Sequence, residues 1–188
     1  HARVTEALLA VHASGMVPVC IGGGHDLTFP TVRALALSRG DTHGPVGGIN
    51  VDAHLDVRDT PGSGMPFRSL IEGGFVDPRK FTVVGAGLFA NTREHFQWLT
   101  GRGARVLGIE SVMAYGVSDT DTFTRCMRKA AVGSAQRFGT GFVSIDMDCL
   151  DAGCAPGVSA MNPMGLTVRH VEQIAREAGE HPAVRPFD

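Results

Sequence analysis

Residues 46–58 read VGGINVDAHLDVR, an apolar run that turns without a break into a string of potential metal ligands. Val46 to Val51 has the composition of a strand. In extended backbone, side chains at i, i+2 and i+4 share a face. Asp52, His54 and Asp56 therefore converge on one side, while Ala53, Leu55 and Val57 point to the other. Close acceptors carrying two negative charges repel one another unless a cation sits among them. On this stretch alone, a strand end whose charges face water is the alternative.

Two further stretches repeat the design. Residues 141–151 read GFVSIDMDCLD, an apolar strand ending in acids, with Asp146 and Asp148 on one face and Asp151 just beyond the turn. Upstream, residues 17–21 (VPVCI) read as a buried strand that leads into the glycine turn Gly22-Gly-Gly-His25-Asp26. Three strands thus carry carboxylate or imidazole at their C-terminal ends, the edge at which open α/β sheets bind ligands. This repetition argues against chance.

A chain of 188 residues, 43% hydrophobic, can bury a core of its own, and a single domain over 1–188 is expected. Its 25 glycines suit many tight strand–helix junctions. A net charge of −2 gives no electrostatic footprint for nucleic acid and no basic patch for a membrane surface. No apolar run approaches the length of a membrane span. The chain starts at His1 and stops where Arg185-Pro-Phe-Asp188 begins to look like another strand, so truncation at both ends is expected. Cys20, Cys126, Cys149 and Cys154 form no C-x-x-C pair, which points to free thiols and a cytoplasmic setting. Cys149 and Cys154 lie near the acids, but neighbouring carboxylates suit a harder ion than thiolate does.

In order, the pattern predicts a helix over 2–14, a strand over 17–21 and a helix over 28–38. A strand over 46–52 leads into the ligand segment. Residues 59–66 form a Pro/Gly loop placed to touch substrate. A short helix over 67–72, a strand over 80–84, a helix over 91–99 and a strand over 105–109 follow. A long helix is expected over 119–138, then a strand over 141–146, a loop over 149–166 and a helix over 167–178. Alternation of this kind predicts a mainly parallel sheet covered on both faces. His12, His43, His95, His170 and His181 show no partner pattern and read as surface or capping residues.

One motif favours a different class. Residues 83–90 (VVGAGLFA) fit a strand followed by G-x-G-x-x-A, the dinucleotide-binding turn, and Glu110 closes the next strand. Against it, the turn follows a late strand, Asn91-Thr92 interrupt the helix start, and the acids and histidines go unexplained. A glycine-rich strand–helix junction accounts for the same residues.

Taken together, GGGHD (22–26), NVDAHLD (50–56) and SIDMDCLD (144–151) followed by APG (155–157) resemble the three signatures of the ureohydrolases: arginase, agmatinase and formimidoylglutamase. The matching anchors run from Gly22 to about Thr167, in the family's order. The resemblance implies a three-layer α/β/α sandwich with a parallel sheet of about eight strands. It implies two Mn²⁺ ions per chain, one held by His25, Asp52, Asp56 and Asp146. The other would be held by Asp52, His54, Asp146 and Asp148, with Asp52 and Asp146 bridging. It also implies hydrolysis of a small amidine or guanidine at a C–N bond, Asp56 as the proton shuttle to the leaving amine, and assembly into trimers or hexamers. Oxygen-rich sites with some imidazole suit Mn²⁺.

Within the family the details look like formimidoylglutamase. The loop Ser63-Gly64-Met65-Pro66-Phe67 lacks the histidine of the arginase and agmatinase loop, and the run APGVSA ends residues 155–160 in the formimidoylglutamase manner. Arg58 stands where arginase has asparagine, and a guanidinium can grip a carboxylate in bidentate fashion. Substrate contacts are therefore expected from Arg58, Ser63 and Gly64, with Arg68 as a second candidate. A salt bridge of Arg58 to Asp59 or Asp26 is the structural alternative. The acid that grips the substrate's imino group in this family falls beyond Asp188. Agmatinase-type guanidine hydrolysis, or a non-catalytic metal-binding protein, are the other functions the pattern allows.

Overall fold

Gly48 sits in the central strand for a reason that lies on its neighbour. A Cβ built on Gly48 would stand 2.3–2.5 Å from the ring of Phe142, so only glycine lets that ring lie across the strand. The computed structural model of the protein describes residues 1–40, 44–114 and 140–188. The strands are β1 (Val46–Val51), β2 (Val76–Ala86), β3 (Arg105–Gly108), β4 (Gly141–Ile145) and β5 (Val184–Phe187). They form one sheet in the order β3-β2-β1-β4-β5, with every pairing parallel. β1 lies at the centre and is buried along its whole length, which is why it reads as an unbroken small-and-apolar run.

Six helices flank the sheet among the described residues: α1 (Ala2–Ala13), α2 (Thr28–Ser38), α3 (Pro66–Glu72), α4 (Arg93–Thr100), α5 (Ile109–Ala114) and α6 (Val168–Gly179). Two separate cores show the layering. On one face Val32 and Leu35 of α2, Phe67 and Leu70 of α3 and Leu99 of α4 pack on Val46, Phe81, Val83 and Phe142. On the other, Ile109 and Val112 of α5 and Ile174 and Ala178 of α6 pack on Ile49, Val51, Val84 and Val143. The result is the expected α/β/α sandwich.

The helix expected over 119–138, with Cys126, and His43 lie outside the described residues. The strand expected over 17–21 is reduced to one parallel bridge, Val19 to Phe187. Only Pro18 of the run is buried; Val17 is 40%, Val19 65% and Ile21 93% exposed. Its described partner is the short edge strand β5, too brief to support a longer ladder, so apolar composition did not secure burial there. The strand expected over 80–84 extends to 76–86, and the helix expected from Asn91 starts at Arg93, capped by Thr92 Oγ1 accepting from His95 N–H. His170 closes a capping box with Thr167 at the start of α6.

Candidate metal centre

The ligand segment leaves the sheet at once. Val51 is the last residue of β1 in register, Asp52 N–H still reaches Val84 O at 3.0 Å, and the chain then bends. The expected alternation survives in burial, with Ala53, Leu55 and Val57 all but inaccessible, yet the backbone is not extended. Asp56 has φ of 48°, the one non-glycine residue in the left-handed region among those described. That turn, not strand geometry, swings its carboxylate back toward the others. Gly22 and Gly23, with φ of 94° and 88°, make the corresponding turn before His25. Asp146 follows β4 and caps a single 3-10 turn, Met147–Cys149, by accepting from Asp148 N–H at 2.9 Å.

These turns bring the six predicted side chains together. Ligand atoms of His25, Asp52, Asp56 and Asp146 lie within 4.8 Å of one another, as do those of Asp52, His54 and Asp148. Nδ1 of His25 faces Asp56 Oδ2 at 2.6 Å, Asp146 Oδ2 at 3.2 Å and Asp52 Oδ2 at 3.3 Å. Nδ1 of His54 faces Asp148 Oδ2 at 3.1 Å and Asp52 Oδ1 at 3.5 Å. Asp52 therefore offers one oxygen to each group. Its side chain is fully buried, steadied by Asn50 Nδ2–H and the His54 backbone N–H.

The donor set fits divalent metal. One imidazole nitrogen carries one proton and cannot satisfy the three carboxylate oxygens that converge on it. Asp148 Oδ1 is buried with no hydrogen-bond partner among the described residues, a cost that a cation would remove. With both histidines neutral, as ligation requires, the carboxylates of Asp52, Asp56, Asp146 and Asp148 carry a charge that two divalent ions cancel. The far side of His25 is prepared as well: Nε2–H donates to Ser144 Oγ at 2.8 Å, and that hydroxyl meets Thr28 Oγ1 at 3.1 Å. A hydroxyl that accepts there suits the tautomer that leaves Nδ1 free to bind metal. Beneath lies an aromatic floor, Phe67 edge-on to His25 at 5.6 Å and packed with Phe81 and Phe142.

Without metal, protons stand in for it. Burial opposes a charge on His25, but the carboxylates of Asp52 and Asp56 outweigh it and raise the imidazole to about 11. The hydrogen bonds to Asp148 and Asp52 raise His54 to about 10. Burial works against ionised Asp52, yet both histidines hold it below the usual carboxylate range. Burial pushes Asp56 up, and burial with the charges of Asp52 and Asp146 pushes Asp148 up to about 6.

The cluster opens into a cleft of about 570 Å³ lined also by the glycine turn, Arg58, Ser63, Gly64 and Ser159. Arg58 is the one Lys or Arg in that lining, and its guanidinium has no ion-pair or hydrogen-bond partner among the described residues. Asp26 instead pairs with His1 at 2.7 Å. Arg68 points elsewhere: Nε–H donates to Val57 O at 2.8 Å and the guanidinium stacks on Trp98 at 4.4 Å. It holds the ligand segment and is not among the residues that line the cleft. Asp151 stays outside both groups and accepts from Gly153 N–H. Cys149 is buried in the core with its thiol pushed up by burial, and Cys154 is exposed; neither joins a ligand group.

The glycine turn of residues 85–87 serves the metal segment, not a nucleotide. Gly85 (φ 94°) lets β2 pass against Asp52 O and Leu166, and Gly87 N–H is spent on Ala53 O at 3.0 Å. Sequence reasoning passed over Ser144, Thr28 and Asn91. Ser144 carries a weak signal, as a hydroxyl in an otherwise apolar strand; the other two carry none.

A parallel α/β sheet with a paired imidazole–carboxylate cluster at its C-terminal edge defines a protein able to hold two metals. The chain belongs to the arginase family, whose pattern matches residues 1–188. It is 34% identical to formimidoylglutamase of Halobacterium salinarum over 192 residues, covering 100% of this chain and 58% of that protein. It is 29% identical to the human mitochondrial guanidino acid hydrolase, over 93% of this chain and 47% of that one. A crystal structure of Trypanosoma cruzi formiminoglutamase with two Mn²⁺ superposes with a TM-score of 0.87 at 28% identity, over 100% of this chain and 61% of that one. The chain thus spans less than two thirds of the length of these relatives. No helix among the described residues is long and apolar enough to cross a membrane.

Proposed function

We propose that the protein is a binuclear-manganese hydrolase that cleaves N-formimidoyl-L-glutamate to L-glutamate and formamide. The observation that carries the substrate is Arg58, an uncommitted guanidinium on the wall of a cleft whose floor is otherwise acidic. A substrate carboxylate completes it. His25, Asp52, Asp56 and Asp146 would hold one ion, and Asp52, His54, Asp146 and Asp148 the other, with Asp52 and Asp146 shared. Two divalent ions so placed supply Lewis acidity and lower the pKa of a water at neutral pH. The remaining work falls to the chain. Arg58, with the backbone and hydroxyl of Ser63 and Gly64, fixes the glutamate end. Asp56 carries a proton to the leaving amine. In balance, one water adds its oxygen to the formimidoyl carbon and the bond from that carbon to the glutamate nitrogen breaks; one of the water's protons goes to that nitrogen and the other to the imino nitrogen, which becomes the amide nitrogen of formamide.

The second reading, a guanidine hydrolase releasing urea, is supported by the similarity to the guanidino acid hydrolase. Free Cys20, Cys149 and Cys154 suit the cytoplasm, and a trimer or hexamer is the assembly we propose. The test is hydrolysis by the full-length, Mn²⁺-loaded protein of N-formimidoyl-glutamate, agmatine, arginine and guanidinobutyrate. Formamide and glutamate, abolished by Asp146→Ala and weakened by Arg58→Ala, are expected. Urea from agmatine, which has no carboxylate, would overturn the role of Arg58; urea from arginine or guanidinobutyrate would overturn N-formimidoyl-glutamate as the substrate. Two bound metals without turnover of any substrate would make this a metal-binding protein.

A further inference from the structure

We propose that Asn91 is the positioning residue of the metal centre, a side chain that replaces the sheet where the ligand segment leaves it and so sets His54. The proposal rests on the binuclear reading above. β1 ends its ladder at Val51, paired with Val84. Past that last registered pair Ala53 and Leu55 are buried, and buried backbone groups need partners. Asn91 supplies them. Its Oδ1 accepts from Leu55 N–H at 2.8 Å, and its Nδ2 donates to Ala53 O at 2.9 Å and to Gly87 O at 2.9 Å.

The amide orientation is unambiguous, because an N–H needs the oxygen and two carbonyls need the nitrogen. Both Nδ2 hydrogens are used. The two peptide groups that Asn91 holds flank His54 on either side, and Gly87 N–H adds a second bond to Ala53 O. Asn91 therefore ties the β2–α4 turn to the backbone that aims one imidazole. His54 itself has few other anchors: its side chain faces the carboxylates of Asp148 and Asp52. Asp56 and Arg58 are held from the other side, by Phe67 N–H on Asp56 O and Arg58 N–H on Gly64 O. Loss of Asn91 should thus affect the His54 half of the centre more than the His25 half.

The experiment titrates the full-length, metal-free protein with Mn²⁺ by calorimetry, with electron paramagnetic resonance to separate coupled ion pairs from single ions. Asn91→Ala should weaken the same binding step that His54→Ala weakens, by about 10- to 100-fold, the usual effect of losing a group that orients a ligand, and leave the other step unchanged. The coupled-pair spectrum should give way to that of single ions. Asn91→Asp keeps the acceptor for Leu55 N–H but sets a carboxylate against two carbonyl oxygens. It should show the same loss and carries the test if Asn91→Ala fails to fold by circular dichroism. Phe89→Ala, a fully exposed residue of the same turn, should bind as wild type does. Wild-type affinity at both steps in both variants would overturn the proposal, as would an equal loss at both steps. A wild-type protein that binds fewer than two ions would instead sink the binuclear reading, and the proposal with it.

Discussion

Consider titrating the metal-free protein with Mn²⁺ at pH 7. His25 is raised to about 11 and His54 to about 10, so both enter the titration charged. A metal ligand must be neutral imidazole, and each histidine therefore loses a proton as metal binds. Asp148, at about 6, is nearly all ionised at this pH and adds only about a tenth of a proton. Roughly two protons should leave per pair of ions, and the overall binding constant should rise about two log units per pH unit near neutrality. The assay is calorimetry at fixed pH in buffers of different ionisation enthalpy. The slope of observed heat against buffer enthalpy counts the protons, and His54→Ala should lower the count by about one. A slope near zero, or an affinity flat between pH 6.5 and 8, would refute the claim that protons occupy the metal positions. The sign for stability is the opposite. Raised histidines stabilise the metal-free fold fully below their unfolded value near 6.5, and that contribution fades as pH rises through about 10 and 11.

Three other outcomes follow from particular contacts. Gly48→Ala forces a methyl group into the Phe142 ring and should cost about 1–3 kcal/mol or more in urea unfolding. Arg68→Met should cost about 1–3 kcal/mol by stranding Val57 O, without changing KM, because Arg68 faces Trp98 and not the cleft. Arg58→Ala should raise KM for a carboxylate-bearing amidine about 10- to 100-fold, the worth of a hydrogen bond to a charged group. It should leave stability within about 0.5 kcal/mol, since its guanidinium has no hydrogen-bond or ion-pair partner among the described residues.

The ligand residues were legible because their signal is local. An apolar run followed by acids at alternate positions shows in the sequence both the buried strand and what it delivers, at residues 46–56 and again at 141–148. Segments without that contrast were misread. Residues 17–21 look as apolar as β1, but burial depends on what lies alongside, and the described neighbour of Val19 is the edge strand β5. The G-x-G-x-x-A turn looks like a phosphate cradle until Gly87 N–H is seen to be taken by Ala53 O.

By itself, then, the sequence determined the alternation of strands and helices, the sheet edge that carries the chemistry, and the identity of the six converging side chains. Each of these follows from patterns only a few residues long. Tertiary structure alone decided how they converge: the left-handed turn at Asp56, the hydroxyl of Ser144 behind His25, and the clamp of Asn91 across 36 residues of chain on Leu55. It also separated Arg58, free in the cleft, from Arg68, stacked on Trp98. Two arginines near one loop are equivalent in composition. Which one meets solvent and which one meets a carbonyl depends on packing between elements distant in sequence, and no local pattern encodes that.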